Sequence, residues 1–378
     1  MFKKTRIYTN FKLKNLIQLF KTFFFKKKDF EENIKKYLCK NNISLTSQGR
    51  VALFDIVKII ISNSGKKNFY ISPFTIPEVI FAIKYAGGNV KYIDIDIATG
   101  LINEETLISE IDDNSAAVIV THLYSNKNSI NNFFKKISGR ILIIEDAAIN
   151  FGARIDNKFL GTLGDFGFYS FNLVKNLNTL NGGAIYIKDS NIFNNYLSKR
   201  KVKNFPFKET LKLLITVSVI KVFFNNLSYQ FFHFFLKYIY KNKIKFFLKK
   251  IYPILYHEYN SQIPQNYFYD FNWLMNEVGK DNLNNVDEDF HNRLDKAKLY
   301  EKYINNSSSK KIVFDSKENA FLEYPIILKK INNLDLHNRL MEKGYDIRKV
   351  WYINNVKNEK NYDPDKFKNT FDLERKIF

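Results

Sequence analysis

AAVIVTHLYSNKNSINNFFKKISGRILIIED, residues 116–146, decides the fold. Two apolar runs, AAVIV (116–120) and RILIIE (140–145), flank a helix-like segment at 127–137. Short strands without polar alternation are covered on both faces, and a helical crossover makes such a pair parallel. The pattern extends in both directions. Upstream, RVALFDIVKIII (50–61) has helical periodicity and KNFYIS (67–72) reads as a strand. A helix near 76–86, strand VKYIDID (90–96) and helix 103–112 follow, and FGFYS (166–170) and AIYI (184–187) continue the series downstream. The fold class is therefore α/β, a mostly parallel sheet covered by helices. Ligands in such sheets sit beyond the carboxyl ends of the strands. Chemistry is expected just after Ser72, Asp96, Val120, Glu145 and Ser170.

The 378 residues can bury a large core, and two domains are expected with additions. Residues 199–258 break the alternation, being Phe-rich and basic with few turn signals before Pro253. Within them Lys237, Lys241, Lys245 and Lys249 recur every four residues, as on one helical face. A charged helical stretch (276–304) then leads into a small α+β tail. There FLEYPIIL (321–328) reads as a strand, LDLHNRLMEKG (334–344) as a helix and YDIRKVWY (345–352) as a strand. The expected organisation is a basic N-terminal arm (1–43), a large ligand-binding domain (44–198), a basic helical insert (199–262) and a small C-terminal domain (263–378).

The formal charge is +21, and its distribution is uneven. Residues 1–40 carry 12 Lys/Arg against 3 Asp/Glu, and residues 199–258 carry 13 against 2. A lysine-rich genome would spread the excess; here two patches hold nearly all of it. One cysteine, Cys39, excludes an internal disulfide and a cysteine metal cluster, which suits a reducing cytoplasm. Lysines interrupt every apolar run of the N-terminus before it reaches signal length. The longest candidate span, VFFNNLSYQFFHFFL (222–236), is short and holds Asn, Gln and His. The five histidines show no metal-ligand spacing, so no metal is expected.

Three residues stand out at the strand ends. Asp146 lies immediately beyond a buried strand, where a carboxylate is costly unless paired. A helix cap or salt bridge explains such a residue; so does pairing with a protonated heterocyclic nitrogen. Gly49 falls where a loop enters a helix, so backbone amides and the helix dipole there suit a phosphate, with Arg50 adding a charged contact. Ordinary capping by Thr46 or Ser47 is the competing reading. Lys175 sits among uncharged neighbours in YSFNLVKNLNTLNGGAIYI (169–187), before the Gly182–Gly183 pair. It is either a solvated loop lysine or an activated amine.

Together the segments resemble the DegT/StrS-type sugar aminotransferases, fold-type I enzymes dependent on pyridoxal phosphate. The matching pieces are GRVAL (49–53), PFT (73–75), Gly87, YIDID (92–96), THLY (121–124), EDAA (145–148), GDFGFYSF (164–171), Lys175 and GGAIY (182–186), in the family's order. The resemblance covers about 40–190 and 265–378. It implies that Lys175 forms a Schiff base with pyridoxal phosphate and shuttles a proton. It implies further that Asp146 holds the ring nitrogen, and that Ser170 and the Gly49–Arg50 amides hold the phosphate. Asn272 matches an asparagine of a segment contributed by a neighbouring subunit, which implies a homodimer. Relatives with histidine in place of the lysine dehydrate their substrates; Lys175 points to aminotransfer instead.

Three positions depart from the family. Ile149 stands where Gln or His usually holds the cofactor's phenolic oxygen, Ile76 where an aromatic stacks on its ring, and Leu274 where an arginine is common. His122 is a candidate for lining the same site. The implied reaction moves an amino group, with glutamate as donor, to a keto sugar nucleotide for surface glycan assembly. The alternative is a weakly active or non-catalytic member acting through its basic insert. That insert, with ten phenylalanines, reads as a subdomain packed on its own dimer, as a surface docking peripherally on anionic lipid at the inner membrane, or, last, as a nucleic-acid site.

Overall fold

The computed structural model describes residues 29–123, 127–223, 259–304, 309–311, 319–343, 352–359 and 362–377, with single residues 234, 235, 238, 242 and 345. Residues 1–28, the lysine series 237–249 and most of YDIRKVWY lie outside the described residues.

Seven strands form the central sheet: β1 (Ile43–Thr46), β2 (Asn68–Ile71), β3 (Asn89–Tyr92), β4 (Ser115–Thr121), β5 (Leu142–Asp146), β6 (Phe166–Ser170) and β7 (Gly183–Ile187). Their order is β1-β7-β6-β5-β4-β2-β3. Pairs β6/β5, β5/β4, β4/β2 and β2/β3 are parallel, as the apolar runs predict. Strand β7 runs antiparallel to both β1 and β6.

Helices cover both faces. On one, α2 (Gly49–Ser64) and α3 (Pro77–Tyr85) bury Leu53, Phe54, Val57, Val79 and Ile83 against Phe69, Ile119, Ile144 and Ile185 of the sheet. Burying each such side chain is worth about 1.5–3 kcal/mol. On the other face Leu107 of α4 (Glu104–Glu110) and Ile130, Phe133 and Ile137 of α5 (Lys127–Ile137) meet Tyr70, Val118, Val120 and Ile143. This two-sided cover makes the strands uninterrupted apolar runs.

Within the stretch read as a basic arm, helix α1 (Phe30–Leu38) turns Phe30, Ile34 and Leu38 inward at helical spacing. Phe30 stacks on Phe271 at 5.8 Å between ring centroids, and its N–H donates to Asn276 Oδ1 at 3.1 Å. The edge strand β1 follows directly. Helices α6 (Ser190–Lys199) and α7 (Phe207–Phe223) come after the sheet, and the charged stretch resolves into two helices, α8 (Trp273–Leu283) and α9 (Val286–Tyr303).

In the C-terminal part, Ser309–Lys311 pairs antiparallel with Ile326–Leu328, which is all of FLEYPIIL that is strand. Helices α10 (Asn333–Glu342) and α11 (Lys368–Lys376) accompany it. Ile353–Asn354 pairs with Phe74–Thr75, tying this region to the segment after β2.

Candidate active site

The sheet's carboxyl edge brings the predicted positions together. Asp146, the last residue of β5, is in register with Thr121 of β4 and Phe168 of β6. Two residues along β6, Ser170 registers with Gly183 of β7, and Gly183 registers with Thr46 of β1. Helix α2 begins at the same edge. Its N-cap, Gln48, extends the edge through a parallel bridge to Gly182.

Glycine makes this approach possible. A Cβ on Gly49 would lie 2.8 Å from Ser170 Cβ, and one on Gly183 would lie 2.6 Å from both Gly49 N and Tyr169 O. No side chain fits between these backbones. Neither Thr46 nor Ser47 caps α2: the Thr46 hydroxyl donates to Gln48 O and that of Ser47 to Asn266 O. The Arg50 guanidinium donates to Gln48 Oε1 and lies 5.6 Å from the Tyr267 ring centroid.

Lys175 sits in the loop between β6 and β7, and asparagines hold that loop. Asn176 Nδ2 donates to Ile149 O and Asn282 Nδ2 to Asn178 O, both at 2.6 Å. Asn178 also accepts from Leu180 N–H, and Lys175 N–H closes a turn to Asn172 O at 2.9 Å. Fixed in this way, the Lys175 ammonium comes within electrostatic reach of Asp146.

Asp146 is buried, and desolvation pushes its carboxyl above the usual carboxylate range. The Ala148 N–H, Lys175 and His122 oppose that shift without cancelling it. Ala148 N–H reaches Oδ1 at 3.1 Å; among the described residues no donor is bonded to Oδ2. Among the described residues, buried polar atoms without partners also occur on these segments: Thr75 Oγ1, Thr121 Oγ1, His122 Nδ1 and Asn176 Oδ1. Such groups are rare in a closed interior. A carboxylate oxygen awaiting a donor, an amine in electrostatic reach and a glycine cradle beside Ser170 fit pyridoxal phosphate.

Other predicted residues take structural positions. Ile76 is the N-cap residue of α3 and packs on the main core. Ile149 is buried with Phe74, Leu123 and Leu373. Asn272 caps α8, accepting from Met275 N–H at 2.8 Å and donating to Thr210 Oγ1 at 3.0 Å within its own chain. Leu274 is buried against Leu180, Val217 and Val278.

Sequence reading passed over Glu145. Its carboxylate is fully buried and accepts from His122 Nε2 at 2.7 Å, Gly161 N–H at 2.9 Å, Gly164 N–H at 2.7 Å and Leu163 N–H. Two consecutive acids at a strand end were the available signal, because neighbours in a strand face opposite ways and each then needs partners. Asn150 was missed too; it donates to His122 O and accepts from Ala320 N–H, joining the site to the C-terminal part.

A seven-stranded sheet with one antiparallel strand, its lysine loop between β6 and β7, is the fold of the type I pyridoxal-phosphate-dependent transferases. An E. coli GDP-4-keto-6-deoxy-D-mannose 3-dehydratase with bound hydrated PLP superposes with a TM-score of 0.73. The two share 17% identity, over 100% of this chain and 94% of that one, a likeness of fold. The model of the DegT/DnrJ/EryC1/StrS aminotransferase family matches residues 18–206, and the chain belongs to that family. It is 33% identical over 132 residues, 34% of each chain, to the GDP-4-keto-6-deoxy-D-mannose 3-dehydratase of E. coli O55:H7. It is 31% identical over 186 residues to the dTDP-3-amino-3,6-dideoxy-alpha-D-galactopyranose transaminase of Aneurinibacillus thermoaerophilus, 47% of this chain and 50% of that protein. These matches span a third to a half of the relatives' length.

Proposed function

We infer that this protein is a pyridoxal-phosphate aminotransferase that moves an amino group from glutamate to a keto sugar carried by a nucleotide. The observation that carries this reading is the buried Asp146 carboxylate, one oxygen of which has no bonded donor among the described residues, and whose ionised form the Lys175 charge favours. When bound, pyridoxal phosphate supplies a protonated ring that withdraws the electron pair released at a substrate carbon. Asp146 would hold the ring nitrogen, Lys175 the aldehyde carbon through its ε-amine, and Ser170 with the Gly49 and Arg50 amides the phosphate.

The chain's own groups then have distinct tasks. Burial makes the Asp146 charge expensive until a cation faces it, so the carboxylate favours the protonated form of a ring nitrogen. The asparagine-pinned loop fixes the Lys175 backbone, leaving only its side chain to swing as the amine takes and returns a proton at the substrate carbon.

The 3-dehydratase relative suggests a second reading, loss of a hydroxyl rather than gain of an amine. Lys175 favours aminotransfer. A third, a weakly active member, rests on Ile76, Ile149 and Leu274. We also propose a homodimer in the cytoplasm serving surface glycan assembly.

The test incubates the coenzyme-loaded protein with [15N]glutamate and a panel of keto sugar nucleotides. Nitrogen-15 in the sugar with release of 2-oxoglutarate supports aminotransfer. A deoxygenated sugar without label assigns dehydration, and no turnover across the panel favours the weakly active reading.

A further inference from the structure

We propose that the outer face of α7 is a docking surface for an anionic lipid bilayer. Helix α7, FKETLKLLITVSVIKVF, is apolar on both sides. Its inner side packs Val217, Leu213 and Leu214 on Leu180, Leu274 and Val278, and Thr210 bonds Asn272. That side is occupied by the protein itself. On the outer side Leu211, Ile215 and Val219, four residues apart, are 46%, 55% and 47% exposed. Phe207 opens the same row and is also exposed. Isolated exposed apolar residues are ordinary, but a row along one helical face marks an interaction surface. Phe234 and Tyr238, further along the insert and again four apart, are exposed as well.

Charge selects the occupant. Residues 199–258 carry 13 Lys/Arg against 2 Asp/Glu, and Lys208 and Lys212 stand exposed beside the apolar row. A second copy of this face would oppose like charge to like charge. Single-stranded nucleic acid binds through aromatic stacking, which Leu211, Ile215 and Val219 do not offer. An anionic bilayer meets both features: the aliphatic row enters the headgroup boundary while the lysines keep their ammonium groups among the phosphates. No helix among the described residues is long and apolar enough to cross a membrane. Because α7 rests on Leu180 and Leu173 of the Lys175 loop, bound protein would hold that loop at a fixed side of the bilayer.

The test uses the full chain with phosphatidylcholine vesicles, with and without about one-third phosphatidylserine, at low and high salt. Sedimentation is expected to show at least tenfold tighter binding to the anionic vesicles, lost at high salt as screening requires. The variant Leu211→Ser, Ile215→Ser, Val219→Ser should lose about tenfold or more in affinity with an unchanged far-ultraviolet circular dichroism spectrum. Lys208→Glu with Lys212→Glu, wholly on the surface, should weaken anionic binding alone and serves if the triple variant misfolds. Equal binding to both vesicle types, or anionic binding untouched by either variant, overturns the proposal. A dimer that dissociates in the triple variant without vesicles also overturns it, assigning the face to a second copy.

Discussion

Replacing Asp146 by asparagine is expected to stabilise the protein without coenzyme and to weaken its grip on the coenzyme. The residue is 6% exposed, and among the described residues its carboxylate has one bonded N–H, that of Ala148 at 3.1 Å. Desolvation raises its pKa above the usual carboxylate range despite Lys175 and His122. A group whose folded pKa is raised contributes stability below its unfolded value and loses it as pH rises through the folded value. At neutral pH the ionised side chain therefore opposes folding. Underpaired buried polar groups cost ~1–3 kcal/mol, more for charges, and the Lys175 charge offsets part of that. Asparagine keeps the Ala148 bond and carries no charge, so the gain is set at about 1–2 kcal/mol, or ~1–3 °C in melting temperature for a chain of 378 residues. Calorimetry of coenzyme-free protein across pH is the assay. The advantage of Asp146→Asn should be greatest at neutral and alkaline pH and shrink as the solution is acidified through the raised folded pKa and below the ordinary aspartate pKa of ~3.9, where the wild-type carboxyl becomes neutral in both states. Added coenzyme should reverse the ranking. A coenzyme-free variant less stable than wild type at neutral pH, or a difference independent of pH, would refute this reasoning.

Further expectations concern the supports of the site. Gly183→Ala puts a methyl group 2.6 Å from the backbone of both Gly49 and Tyr169; denaturant unfolding should record a loss of about 1–3 kcal/mol, with coenzyme affinity falling as the Gly49 cradle opens. Glu145→Gln replaces an acceptor with an amide donor beside His122 Nε2 or the backbone N–H groups, and should cost about 1–3 kcal/mol in the same assay; stability equal to wild type would remove Glu145 as the anchor of the β5 end. Leu274→Ala, deleting a fully buried side chain between α8 and α7, should cost about 2–5 kcal/mol, and a near-neutral result would show that this contact is loose.

The sheet was legible because its central strands are covered on both faces and must be continuously apolar. Strand β1 was not: ISLT is short, and its Ser44 and Thr46 are buried beside β7 at the sheet's edge. VKYIDID was read too long because Asp94 looks like an alternating strand residue. In the fold it leaves the sheet and accepts from the amides of Asn369 and Thr370 at the start of α11, a contact 275 residues distant that no local pattern carries. Asp146, Lys175 and Gly49 stand out in the sequence because each breaks its local context in a chemically suggestive way, whereas Ser170 enters only through the family resemblance. Glu145 and the loop asparagines do not stand out, since their partners are backbone amides and carbonyls, which every sequence possesses. Asn272 has an ordinary local explanation, helix capping, that its spacing alone did not distinguish from a role in a partner's site.

The most direct measurement is borohydride reduction of the coenzyme-loaded protein followed by peptide mapping. The visible absorbance should bleach and a single phosphopyridoxyl adduct should map to Lys175, while Lys175→Ala shows neither band nor adduct. An adduct on another lysine, or a visible band that survives Lys175→Ala, would contradict the pairing of Lys175 with Asp146 from which the proposed chemistry follows.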